Sequence, residues 1–334
     1  MRFLRFLIIA ALIGIALWRL LPYISDFSQL ARLKDNIAPI WIFAALISQI
    51  GQYIGDGWLS QVLLKIIGIK VRFKNTFKIA SVAVFAAHLL PMGEAGAFAT
   101  TIYFYRKLGV SKQGMIFLAA GWSVATNLVL FLIFLLSLTL TPQHPNLPFK
   151  PSTVSLYMIV FLTTISLFLF LTRKTLFPKI RKLIEKNSWG KEVFEFINNY
   201  DYSKKGFAYY KEALISHKAL ALQACLAAVI YYVTNVATLS FSFLTFGSLP
   251  PIALVALAYT LSLVAGWITL APAGIGATEA TLVLIFLQYN VDPAQTLAAV
   301  LVFRLITFWI PIPAGFLSYM SLKKEVAEKM VKTP

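Results

Sequence analysis

Four charged side chains lie inside stretches that are otherwise apolar: Asp56 in GQYIGDGWLSQ, Glu94 in LLPMGEAG, Glu279 in APAGIGATEA and Arg304 in AAVLVFRLITFWIPIP. A charge near the centre of a bilayer costs roughly 2.5–3.5 kcal/mol on insertion scales, so each of these groups needs a partner or a ligand. Glu279 has three uses open to it. It can cap the free N–H groups of a helix start, pair with Arg304, or carry a coupling proton or hold a cationic headgroup. Arg304 calls for an acidic partner, with Glu279 the first choice, or for an anionic ligand such as a lipid phosphate. Asp56 sits among Gly51, Gln52, Gly55, Gly57 and Gln61, which suits either helix–helix packing or the lining of a polar cavity. Glu94, Glu279, Arg304 and Asp56 are therefore the candidate substrate-binding residues.

The same survey speaks against catalysis. No nucleophile–base pair emerges, and His88, His144 and His217 are scattered without cysteine partners at ligand spacing. The single cysteine, Cys225, is expected to be a buried, inert thiol. No metal, no cofactor and no enzymatic activity are expected.

The elements that hold these residues follow from composition. The 334 residues are 59% hydrophobic and only 13% charged, about half the charged share of a soluble domain. Several runs exceed the ~18 apolar residues needed to cross a bilayer. The expected fold is all-α and polytopic, with full spans at 5–22, 39–64, 114–140, 153–172, 219–246 and 295–320. The first, in MRFLRFLIIAALIGIALWRLL, has the basic end of a signal peptide without a small-x-small cleavage site, and reads as an uncleaved span. Net charge is +17, which in a membrane chain points to basic cytoplasmic loops rather than to nucleic acid.

Two further apolar stretches, 79–105 and 252–289, are interrupted. The first breaks at Pro91 and Gly93, the second at Pro272, Gly274 and Gly276. Lys74 and Lys78 before the first stretch, and Arg106, Lys107 and Lys112 after it, put both of its flanks in the cytoplasm. The second is flanked by GSLPP and NVDP, which carry no basic residue. Two re-entrant helical hairpins entering from opposite faces are expected, with the N- and C-termini cytoplasmic. The segment 173–218 alternates basic and apolar residues and reads as an amphipathic element at the inner interface.

The two breaks also match in sequence. Pro91 and Pro272, Gly93 and Gly274, Thr100 and Thr281, and Val110 and Val291 are each 181 residues apart. Each half, 1–141 and 153–320, then holds three full crossings, an odd number that turns the second half upside-down. That is an inverted-topology repeat within one transmembrane domain, a plan whose sites lie near the midplane.

Residues 271–315, APAGIGATEATLVLIFLQYNVDPAQTLAAVLVFRLITFWIPIPAG, resemble the signature of the lysylphosphatidylglycerol synthase transmembrane region, a flippase-like membrane family. The resemblance rests on Pro272, Gly274, Gly276, Glu279, Arg304 and Gly315, with Pro91, Gly93 and Glu94 similar to the family's earlier Pro–Gly–Glu. Family members often carry an Arg just before and another shortly after the first Gly–Glu, where this chain has Met92 and AGAFATT. Aminoacyl transfer belongs to a separate soluble domain, and the fourteen residues after Met320 leave the expectation of a chain without it.

The resemblance implies lipid translocation or binding: an inner-membrane protein moving a phospholipid or lipid-linked molecule between leaflets. A small-solute or ion transporter and a non-catalytic subunit of an envelope assembly complex are the alternatives. An envelope-biogenesis partner and a homo-oligomer are both compatible with the chain.

Overall fold

The structure is a computed structural model. It describes residues 33, 37–89, 93–141, 212, 215–269 and 272–332. The expected spans 5–22 and 153–172, Pro91, and nearly all of the 173–218 segment lie outside these residues, as do the side chains of Glu94 and Pro272.

All regular structure among the described residues is helical. The elements are α1 (Pro39–Ile66), α2 (Phe73–Leu89), α3 (Glu94–Lys107), α4 (Lys112–Leu140), α5 (Lys218–Leu244), α6 (Ile252–Thr269), α7 (Ala277–Gln288), α8 (Pro293–Arg304) and α9 (Pro311–Lys332). A 3₁₀ turn, Pro272–Gly274, joins α6 to α7, and a π-helical turn, Leu305–Trp309, makes α8 and α9 continuous. Local chemistry sets the ends. Ser111 and Asp292 accept the N–H of Gly114 and Gln295 as N-caps, and Pro39 and Pro293 occupy first-turn positions where no N–H is needed. Gly68, Gly109, Gly247 and Asn290 take the left-handed conformation just past the helix ends.

Three helices are long and apolar enough to cross a membrane: Lys112–Leu140, Lys218–Leu244 and Pro293–Glu325. This is the architecture of a multi-pass membrane protein. Helix α1 has the length, at 28 residues, but carries polar side chains. Those are turned inward: Gln49 and Gln52 are buried, while Ile40, Phe43, Ile47, Ile50 and Ile54 form an exposed stripe. Val124, Leu128, Leu132, Leu136 and Leu140 form a second such stripe on α4. Apolar ridges of this length, left open on a folded protein, suit contact with hydrocarbon. Cys225 lies on the outward face of α5 with Leu222 and Leu226, so the expectation of a buried thiol is corrected. The inward face of α5 is taken instead by Ala224, Ala227 and Ala228, small residues that let α1 approach.

Helices α1 and α5 pack together at the centre of the described residues and run antiparallel. The Ala38 N–H donates to the Thr245 carbonyl (3.0 Å), Trp41 stacks on Phe241 (5.7 Å), and the Ser48 hydroxyl donates to the Thr234 carbonyl (2.8 Å). The approach requires glycine: a Cβ on Gly55 would lie 2.7 Å from the Tyr231 nitrogen and 2.9 Å from the Ala227 oxygen. Around this pair, α2 packs on α3 and α6 on α7, so each interrupted stretch is two helices folded against each other. The first runs Phe73–Lys107, longer than the expected 79–105, because α2 starts with the polar turn holding Lys74 and Lys78. Each of these units then lies on the other half's long helix: α2 on α9, and α6 on α4.

Backbone geometry recurs between the halves. Positive φ angles occur at Gly68 and Gly247, 179 residues apart, and at Gly93 and Gly274 and at Gly109 and Asn290, each 181 apart. The N-caps Ser111 and Asp292 are 181 apart as well. Several buried hydroxyls are satisfied within their own helices. Thr126, Thr238 and Ser242, for example, each donate to the carbonyl four residues earlier, which suits a polar group where water is absent.

Candidate functional site

The second break is a tight reversal. Ala273, Gly274 and Gly276 have φ angles of 47°, 65° and 84°, a left-handed run that costs little only at glycine. At Gly274 sterics add to this: a Cβ there would lie 2.6 Å from Thr278 Oγ1 and 2.7 Å from Gly266 Cα. The reversal brings α6 and α7 together and aims the N-terminus of α7 back along the break.

Glu279, in the first turn of α7, uses both carboxylate oxygens. Oε2 accepts the backbone N–H of Gly276 at 2.7 Å, and Oε1 accepts Nε of Arg304 at 2.6 Å. Arg304 also donates through Nη2 to the Ala273 carbonyl at 3.2 Å. The pair is largely inside the protein, with side chains 11% (Arg304) and 28% (Glu279) exposed. One carboxylate therefore makes both the cap and the ion pair, and fastens α8 to the break. Arg304 ends α8, and the π turn that follows widens the helix. Ile310 bonds back to Leu305 (3.0 Å), and the widened turn admits Pro311, which has no N–H to give. Pro311 and Pro313 both fall in the first turn of α9.

The first unit reaches the same place. Helix α2 contacts the Pro272–Gly274 turn, and its penultimate residue, His88, packs its ring 4.6 Å from that of Phe308. Phe308 in turn carries the Arg304 guanidinium, 5.1 Å from its ring centroid. Of the proposed site residues, Glu279 and Arg304 are brought together here. Asp56 is placed elsewhere: its Oδ1 accepts the Trp122 indole N–H at 2.6 Å, between α1 and α4. Glu94 is the first residue of α3, directly after the first break.

Sequence reading missed His88, Phe308 and Trp122. The i, i+4 spacing of Arg304 and Phe308 on one helix was a usable signal. Nothing local pairs His88 with Phe308, or Trp122 with Asp56.

Residues 3–315 match the model of the family described as the lysylphosphatidylglycerol synthase TM region. The chain belongs to this family. It is also similar to a UPF0104 membrane protein of Methanocaldococcus jannaschii, 22% identical over 311 residues that cover 91% of each chain. The residues of the resembling motifs have physical roles here. Pro272, Gly274 and Gly276 make the reversal, and Glu279 and Arg304 lock it. Gly315 lets α9 close on α2, since a Cβ there would collide with Phe85 Cβ and lie 2.7 Å from the Ser81 carbonyl.

Proposed function

We propose that this membrane protein is a lipid translocase of the inner membrane, moving a phospholipid or lipid-linked molecule between leaflets. The headgroup passes through a polar slot where the two breaks meet, and the acyl chains stay in the bilayer. The observation that carries this reading is the Glu279–Arg304 pair at the break, approached by the end of the opposite unit. Irregular backbone at membrane depth is tolerated only where protein or a wet cavity satisfies it, and a pair of charges there suits a polar ligand.

In this reading α2–α3 and α6–α7 are re-entrant hairpins, and the six spans and two hairpins form an inverted repeat. Support comes from the central pair. Two equivalent helices related by a twofold axis run antiparallel only when the axis crosses them, which places it in the membrane plane. Sidedness follows from charge. Lys78 reaches Glu325 (2.5 Å) and Ser321 (2.7 Å), which joins the basic 65–78 and 323–324 regions at one end of the molecule. That end is assigned to the cytoplasm. No catalytic role is assigned to any residue.

Reconstitution with labelled anionic and zwitterionic lipids tests the reading. Protein-containing vesicles should exchange lipid between leaflets faster than empty ones, and Arg304→Ala should abolish the difference. Equal rates in both vesicles would reject translocation of those lipids. Solute flux without lipid movement would point to a small-solute transporter, and co-purification of a partner with neither flux to an accessory subunit.

A further inference from the structure

The Glu279–Arg304 pair leaves part of the site unused. Nε and Nη2 of Arg304 are committed to Glu279 and to the Ala273 carbonyl, and no described group bonds to Nη1. Close by, Nδ1 of His88 is buried and has no hydrogen-bond partner. Among the described residues four other buried side-chain atoms share that state, namely Gln49 Oε1, Tyr53 OH, Ser248 Oγ and Thr296 Oγ1. Of these five, only the imidazole stands beside a guanidinium. A buried polar atom left without a partner costs about 1–3 kcal/mol, so its position calls for an occupant. The two groups share Phe308, whose ring packs against His88 and lies under the Arg304 guanidinium.

We propose that His88 and Arg304 together bind the phosphate oxyanion of a headgroup, one N–H donor coming from each half of the chain. This rests on the translocase reading and names the substrate class. Glu279 does not oppose it, because its charge is met by Arg304 and by the N-terminus of α7. An oxyanion seated here accepts from Arg304 Nη1 and from His88 in the tautomer protonated at Nδ1, and bridges α2 to α8. Its binding therefore couples the first interrupted unit to the second, as a site alternately open to two sides requires.

The test uses the full chain in detergent with three probes: dihexanoylphosphatidic acid, dihexanoylglycerol lacking the phosphate, and inorganic phosphate. Wild type should bind the phosphatidic acid and not the diacylglycerol. His88→Phe keeps a ring against Phe308 but removes the donor, and should weaken binding by about tenfold or more with an unchanged melting temperature. His88→Gln keeps an N–H donor and should lose less; it also replaces His88→Phe if that variant does not fold. Wild-type affinity in both variants, or no binding of either phosphate-bearing probe to wild type, would overturn the proposal. Inorganic phosphate binding as tightly as the lipid would keep the anion site but reject a lipid headgroup as its source. Leaflet exchange in vesicles separates the two claims. Binding through His88 with no exchange removes translocation and leaves the site, whereas exchange unaffected by His88→Phe does the reverse.

Discussion

The two interrupted stretches share positions of positive φ and differ in chemistry. Gly93 and Gly274 occupy equivalent left-handed positions, and the helix ends after each break recur at Gly109 and Asn290. At the same 181-residue spacing, however, Glu279 corresponds to Phe98 and Arg304 to Ser123. Phe98 is 39% exposed, and Ser123 is an exposed hydroxyl that only accepts from Asn127. The second break is thus closed by an internal ion pair, and no such pair occupies the corresponding positions of the first. A repeated scaffold therefore does not imply a repeated site. Shape is carried by glycines and caps in both halves, whereas the Glu279–Arg304 pair was placed in one.

The largest expected effect breaks that contrast. Arg304→Gln or Glu279→Gln leaves an uncompensated charge inside the protein and should destabilise by roughly 3–5 kcal/mol, where Ser123→Ala should change almost nothing. The double variant should recover part of the loss, because no lone charge remains. Thermal unfolding in detergent reads all four, and equal costs at Arg304 and Ser123 would erase the distinction.

Next in size are the glycines. Gly274→Ala meets Thr278 Oγ1 and Gly266 Cα in addition to a positive φ, and should cost more than about 3 kcal/mol. Gly109 has a φ of 91° but nothing within 4 Å of a Cβ, so Gly109→Ala should cost only about 1–2 kcal/mol. Chemical denaturation of the two variants should show that order; a reversed order would mean that crowding at Gly274 is not what holds the turn.

Labelling sharpens the orientation of the halves. In a Cys225→Ser background, Lys70→Cys should react with a membrane-impermeant thiol reagent from the cytoplasm and Leu249→Cys from outside. Same-side reaction would rule out opposed halves. The smallest effect belongs to the Lys78–Glu325 link at the basic end. There the carboxylate is 37% exposed, and Lys78→Ala should cost below about 1 kcal/mol and less still at high salt.

Much of the site was legible because its signals are local or chemically forced. Prolines and glycines inside an apolar run must break a helix, so Pro272, Gly274 and Gly276 marked the reversal directly. A buried guanidinium must meet an acidic partner or an anionic ligand, so Glu279 was the first choice as the partner of Arg304 while a lipid phosphate stayed open. The 181-residue spacing was visible in four identities, and the structure extends it to turns where the residues differ, such as Gly109 and Asn290.

Tertiary structure alone decided the rest. Which side of a nearly uniform apolar helix faces inward is not written in a periodicity that every residue dilutes, and so Cys225 turned out exposed and Gln49 buried. The contact of His88 with Phe308 joins positions 220 residues apart through the packing of α2 against α9, and only the crossing of whole helices sets it. By itself the sequence determined where the chain must bend and which charges must be neutralised, because both are costs that a residue meets within its own neighbourhood. The tertiary structure decided which half closes on which, because that depends on the summed shape of surfaces no single segment contains.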